Sequence, residues 1–196
     1  MQKALCICEL VPTIDLETKL SLIIHQREIN KTTNTGLLAA RCLVNSEVRV
    51  RGKYDGKNPY EGLYDNDATH LYLYPTEGAV PLTKQFVASL PKPIQLIVPD
   101  GTWSQAKKVF RRIPNNHRLT PVTITSAHPS EYKLRHIPVK YQDGLSTLEA
   151  VANAIEVLES AEAREQLLYP FRVMVSRTLL SRGKLKAYEV FGGITN

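Results

Sequence analysis

Apolar residues recur along this chain in short runs separated by small polar turns, and the runs alternate between two periods. Lys19 to Ile24 reads as a first strand ending at His25. After a polar stretch, Leu37 to Val44 continues as a helix that Asn34 or Thr35 can cap. Glu47 to Arg51 is a short basic strand, and Gly52 to Asp67 has the Gly/Asn/Asp content of a loop. Thr69 to Tyr74 alternates as a second buried strand ended by Pro75, and Pro81 suits the first position of a helix reaching Leu90. Ile94 to Val98 is a β-branched apolar run, the mark of a strand covered on both faces, with Pro99 and Gly101 expected to end it. Thr102 and Gln105 form a capping box for a helix starting at Trp103. His117 to Ile124 reads as a further strand. Ser146 and Glu149 make a second capping box, opening a long helix to about Leu168. Pro170 then breaks the pattern before a last helix, Phe171 to Ser181.

Strand, polar turn and helix follow one another three times, which predicts an α/β fold with a mostly parallel sheet and flanking helices. The strand ends carry Thr33-Asn34-Thr35-Gly36, Pro75-Thr76-Glu77-Gly78 and Asp100-Gly101-Thr102-Trp103. Open α/β sheets place their ligands at such carboxyl ends. Each motif also has the plain reading of a capped helix, and Asp100 that of a residue fixing its turn. With 196 residues and no internal repeat, a single domain with C-terminal helices over about 146–182 is expected.

Charge changes the picture. The chain carries a net charge of +6 and has a pI near 9.2, a balance that leans towards a polyanionic partner such as nucleic acid. On the 103–113 helix, Trp103, Ala106, Val109, Phe110 and Ile113 share one arc, and Lys107, Lys108, Arg111 and Arg112 fill the other. Those cations are candidate phosphate contacts, with Lys31, Lys133 and Arg135 as further ones; the alternative is a solvated helix face. No apolar run is long enough to span a bilayer and no signal peptide opens the chain, so a cytoplasmic location is expected. Three cysteines make no disulfide framework there. Cys6-Ile7-Cys8 alone falls short of a tetrahedral zinc set, and Cys42 reads as a core residue.

Taken together, His25-x-x-Glu28-x-x-Lys31-x-Thr33-Asn34-Thr35-Gly36, Leu73-Tyr74-Pro75, Asp100-Gly101-Thr102-Trp103 and Ser146-Thr147-Leu148-Glu149-Ala150 resemble the DTW-domain family, named for its Asp-x-Thr-Trp motif. The resemblance runs from about Cys6 to Leu158. It implies kinship with knotted, SPOUT-like α/β proteins that bind S-adenosylmethionine. It also implies a tRNA-uridine aminocarboxypropyltransferase, which moves the 3-amino-3-carboxypropyl group of that cofactor to uridine N3 and releases methylthioadenosine. Family members usually carry a further cysteine pair upstream that makes a zinc site with the Cys-x-Cys; that pair is absent here.

On that resemblance, the cofactor carboxylate is expected at the capped amide ends after Thr33-Asn34-Thr35-Gly36 or after Ser146 and Thr147. Backbone groups of Leu73, Tyr74, Pro75 and Gly101 are expected at the adenine, with Thr102 and Trp103 in the same motif and Trp103 either walling the pocket or simply packing. Uridine N3 must lose a proton, which calls for a base. Asp100 is the first candidate, followed by Glu149 and His25, although a histidine at a strand end is commonly structural. An S-adenosylmethionine-dependent RNA methyltransferase and a non-catalytic RNA-binding module remain as alternatives.

Overall fold

The computed structural model describes residues 6–52, 58–64, 67–101, 103–125, 129–134 and 144–193. Thr102 and Arg135 lie outside the described residues, as does the side chain of Trp103.

Six strands form one sheet in the order β2-β1-β5-β3-β6-β4, and every neighbouring pair is parallel. The strands are β1 (Lys19–His25), β2 (Ser46–Arg51), β3 (Thr69–Leu73), β4 (Val80–Pro81), β5 (Ile94–Asp100) and β6 (Thr120–Thr123). The helices are α1 (Thr35–Cys42), α2 (Lys84–Ala88), α3 (Trp103–Arg112), α4 (Thr147–Leu158) and α5 (Ala161–Ser181). Among the described residues no helix is long and apolar enough to cross a membrane.

Side-chain alternation along the strands divides the core in two. Leu20, Leu22, Ile24, Leu96 and Val98 pack on one face with Leu38 of α1, Leu148 and Ile155 of α4, and Phe171 of α5. Ile23, Tyr72 and Ile97 point to the other face, where Val109 of α3 and Ile113 just after it cover them. β5 is therefore buried along its whole length, as its apolar run predicts. Asp100 is carried on the face of α1 and α4.

The prolines depart from expectation. β5 does not stop at Pro99: its pairing with β3 ends at Ile97, while pairing with β1 continues through Ile23↔Pro99 and Ile24↔Asp100. Past Ile97 the strand has a neighbour on one side only, where a missing N–H is tolerated. Pro81 lies not in a helix but in β4, the edge strand, for the same reason; α2 starts later, capped by Thr83 accepting from Phe86 N at 3.2 Å. The long C-terminal helix breaks at Glu159–Ser160 rather than at Pro170. Glu159 Oε1 accepts from Thr18 N and Oγ1 at 2.7 and 2.5 Å, and Ser160 Oγ caps α5 by accepting from Ala163 N at 3.1 Å. α5 then runs through Pro170, whose lost hydrogen bond is offset by burial of that helix against α4.

Candidate active site

Every amide at a helix start lacks an intrahelical acceptor, and two such starts meet at the carboxyl end of β5. Asn34 Oδ1 accepts from Leu37 N at 2.6 Å and opens α1. Ser146 opens α4 in a full capping box, its Oγ accepting from Glu149 N and its own N–H donating to Glu149 Oε2 at 2.7 Å. Between these two ends lies Asp100, 5% exposed. Asn34 Nδ2 donates to its Oδ2 at 2.8 Å, and Thr147 Oγ1 donates to its Oδ1 at 2.5 Å. One carboxylate thus joins a strand end to both helix starts, and its position is fixed from two sides.

Gly36 makes that approach possible. A Cβ there would stand 2.8 Å from Asp100 Cγ and 3.1 Å from each carboxylate oxygen. Gly101 has its own requirement, with φ at 144° and a Cβ position only 2.5 Å from Gln105 Oε1. The chain turns there directly into α3.

Asp100 borders a cavity of about 420 Å³. Thr33, Asn34, Thr35, Ser146 and Thr147 supply its polar wall, and Lys31 lies at its border in a pair with Glu28 at 2.7 Å. Leu73, Tyr74, Pro75 and Gly101 face them from the ends of β3 and β5. These are residues the sequence motifs single out. Ala150 of the Ser146–Ala150 motif also lines the cavity, and others enter only through tertiary folding: Val98, Pro99, Ala106, Leu145, Tyr132, Leu134 and Arg182. Tyr132 stacks on Phe171 with ring centroids 6.0 Å apart and donates through its hydroxyl to Thr33 O at 3.3 Å. Arg182 donates to Leu134 O at 3.1 Å.

The other two candidate bases are placed elsewhere. Glu149 does not line the cavity; it is 4% exposed, and its oxygens accept from Ser146 N, Glu131 N at 2.6 Å and Ser130 Oγ at 2.9 Å. It caps α4 and anchors the wall segment that carries Tyr132. Arg172 holds the same segment through Glu131, at 2.8 and 2.9 Å, and that guanidinium lowers the Glu131 pKa. Glu149→Gln leaves a buried donor facing donors, so it is expected to lower stability by about 1–2 kcal/mol, read as a fall of several degrees in Tm.

His25 does not line the cavity either. Its Nδ1 accepts from Arg27 N at 3.1 Å, and burial with the neighbouring Arg51 and Arg27 lowers its pKa. Lys107, Lys108, Arg111 and Arg112 are exposed along α3, and Lys133 is exposed on the wall segment. Cys6 and Cys8 are exposed with their sulfurs 3.0 Å apart, while Cys42 is buried. Two thiols leave a zinc ion incompletely ligated, and among the described residues no group of three or more His, Cys, Asp or Glu side chains gathers for a metal. The described residues do not make up a zinc site.

A profile of the DTW domain matches residues 1–179 of the chain. This chain belongs to the DTW domain family. DTW relatives include the tRNA-uridine aminocarboxypropyltransferase 2 of Macaca fascicularis, 31% identical over 177 residues that cover 87% of this chain and 59% of that protein. The protein of the same name from Drosophila melanogaster is 30% identical over 170 residues, 83% of this chain and 65% of its own length. The DTW chain thus spans about three-fifths of the length of these relatives. Among solved structures, that of the SAM-dependent rRNA:acp-transferase Tsr3 from Vulcanisaeta distributa superposes with a TM-score of 0.47 and 17% identity, covering 88% of this chain and 85% of that one.

Proposed function

We propose that this chain transfers the 3-amino-3-carboxypropyl group of S-adenosylmethionine to N3 of a tRNA uridine, with Asp100 as the base. The observation that carries this reading is the Asp100 carboxylate, fixed by Asn34 and Thr147 at the edge of a cavity between two helix starts. Family membership and the names borne by its relatives support it.

The cavity suits such a donor. Its volume of about 420 Å³ falls within the roughly 300–1,000 Å³ of small-molecule sites. Leu73, Val98, Pro99 and Leu145 provide an apolar wall for a ring system. The amide ends of α1 and α4, together with Lys31 and Arg182, provide cationic and dipolar ground for a carboxylate. Bound there, S-adenosylmethionine supplies three carbons activated by its sulfonium, of which the transfer uses the aminocarboxypropyl one. The task left to the chain is to orient the reactants and receive a proton. Asp100 takes the N3 proton as the new N–C bond forms and the old C–S bond breaks, and methylthioadenosine leaves. A uridine in folded tRNA must leave its stack to reach a cavity of this kind. The cations of α3 and Lys133 serve as phosphate contacts, giving affinity and salt dependence rather than sequence reading.

The test is to incubate the protein with unmodified tRNA and S-adenosylmethionine and analyse nucleosides and small molecules by mass spectrometry. Methylthioadenosine with an aminocarboxypropyl-uridine is the expected result. S-adenosylhomocysteine with a methylated nucleoside would make the chain a methyltransferase, and tRNA binding without any product would make it a binding module.

A further inference from the structure

Among the described residues, the arginines held below the surface differ in how fully acceptors match them. Half-buried Arg49 has a counter-charge, pairing with Glu47 at 3.0 Å, and donates to Gly62 O at 3.1 Å, although its Nε lacks an acceptor. Arg177, 2% exposed, donates to the carbonyls of Cys6 and Gly193. Arg51 is 8% exposed, yet it has one long hydrogen bond, from Nη2 to Gln105 O at 3.4 Å, and its Nε has no acceptor. It forms no ion pair with any described residue. The ionisable groups around it are Arg112, His25 and the phenols of Tyr60 and Tyr72, and burial lowers its pKa. No described residue gives it a counter-charge, and a buried guanidinium without one is costly, so an anion arriving from outside would stabilise it.

Its place in the sheet narrows the choice. Arg51 ends β2 directly opposite His25 of β1. One residue earlier, Ile24 of β1 stands opposite Asp100 of β5. Neighbouring strands lie about 4.8 Å apart, so the Arg51 backbone is about 10 Å along the carboxyl rim from the end of β5. The side chain lies on the α3 side, under Gln105, and Lys108 and Arg112 continue the Gln105 stripe at the helical spacings of three and seven residues. Both are exposed. A planar fork backed by an exposed ammonium and an exposed guanidinium suits a phosphodiester.

We propose that Arg51, together with Lys108 and Arg112, holds a backbone phosphate of the RNA beside the uridine presented to Asp100. The inference rests on the tRNA-modifying reading above. RNA lying along α3 would then cross the rim at Arg51 and turn its base into the cavity on the opposite face of β5. The phosphate supplies a counter-charge that no described residue provides.

The test measures binding of an unmodified tRNA transcript, without cofactor, between 50 and 200 mM KCl, for the wild type and Arg51→Met. The variant is expected to bind roughly tenfold more weakly, with a salt slope smaller by about one, as for the loss of one phosphate contact. Free of RNA it should melt at the same temperature or higher, because an uncompensated buried charge has been replaced by an apolar chain of similar length. An unchanged slope and affinity would overturn the proposal and leave the transferase reading intact, as would a lowered Tm with RNA binding preserved. Absence of tRNA binding by the wild type itself would sink both. Arg51→Lys keeps the charge without the fork, and should keep the slope with a smaller loss of affinity; a slope reduced as much as in Arg51→Met would also count against the assignment.

Discussion

Asp100→Asn is expected to lower the rate of methylthioadenosine release by about 10²–10⁴-fold, the usual contribution of a positioned base, with S-adenosylmethionine affinity nearly unchanged. The substitution removes the charge and keeps the shape. One amide oxygen can still accept from Asn34 Nδ2, which now donates at 2.8 Å. The amide nitrogen would face Thr147 Oγ1, and a hydroxyl accepts as readily as it donates. The link between β5, α1 and α4 therefore survives, and stability should change by under about 1 kcal/mol. Single-turnover rates combined with calorimetric titration of the cofactor separate the possible roles. Turnover near the wild-type rate would reduce Asp100 to a fixer of its turn. A parallel loss of cofactor affinity would make it a binding group for the positively charged donor.

The parts of this site that rest on local chemistry were legible in the sequence. A helix start needs an acceptor within three residues, so Ser146 announces α4 by type and spacing alone, and Asn34 or Thr35 announces α1, with Asn34 the residue that caps it. A carboxylate after an apolar run announces Asp100. Local spacing does not separate Asp100 from Glu149, because both stand beside capped helices. The distinction comes from partners distant in sequence: Ser130 and Glu131 occupy Glu149, whereas Asp100 meets Asn34, Thr147 and the cavity. Tyr132 and Leu134 reach the cavity on the wall segment that Glu149 of α4 and Arg172 of α5 anchor, and Arg182 reaches it from the end of α5. No periodicity encodes that. The prolines misled for a related reason. Whether a missing N–H matters at Pro81 or Pro99 depends on which edge of the strand still has a neighbour.

Gly36→Ala is the sharpest test of how the carboxylate is held, because two principles give it opposite signs. In a helix, replacing Gly by Ala ordinarily stabilises by about 0.5–1 kcal/mol. Here the added Cβ would stand 2.8 Å from Asp100 Cγ, an atom that Asn34 and Thr147 prevent from swinging aside. Overpacking of that kind costs about 1–3 kcal/mol, so a net loss of stability is expected, with a fall in Tm of several degrees. Turnover should fall by roughly a hundredfold, the scale for moving a reacting group by about 1 Å. A double-mutant cycle shows where the strain lies. With Asp100→Ala as background the clashing atoms are gone, and Gly36→Ala should return to its ordinary helix-stabilising sign. A loss of undiminished size in that background would locate the strain away from Asp100 and remove Gly36 from the positioning of the base.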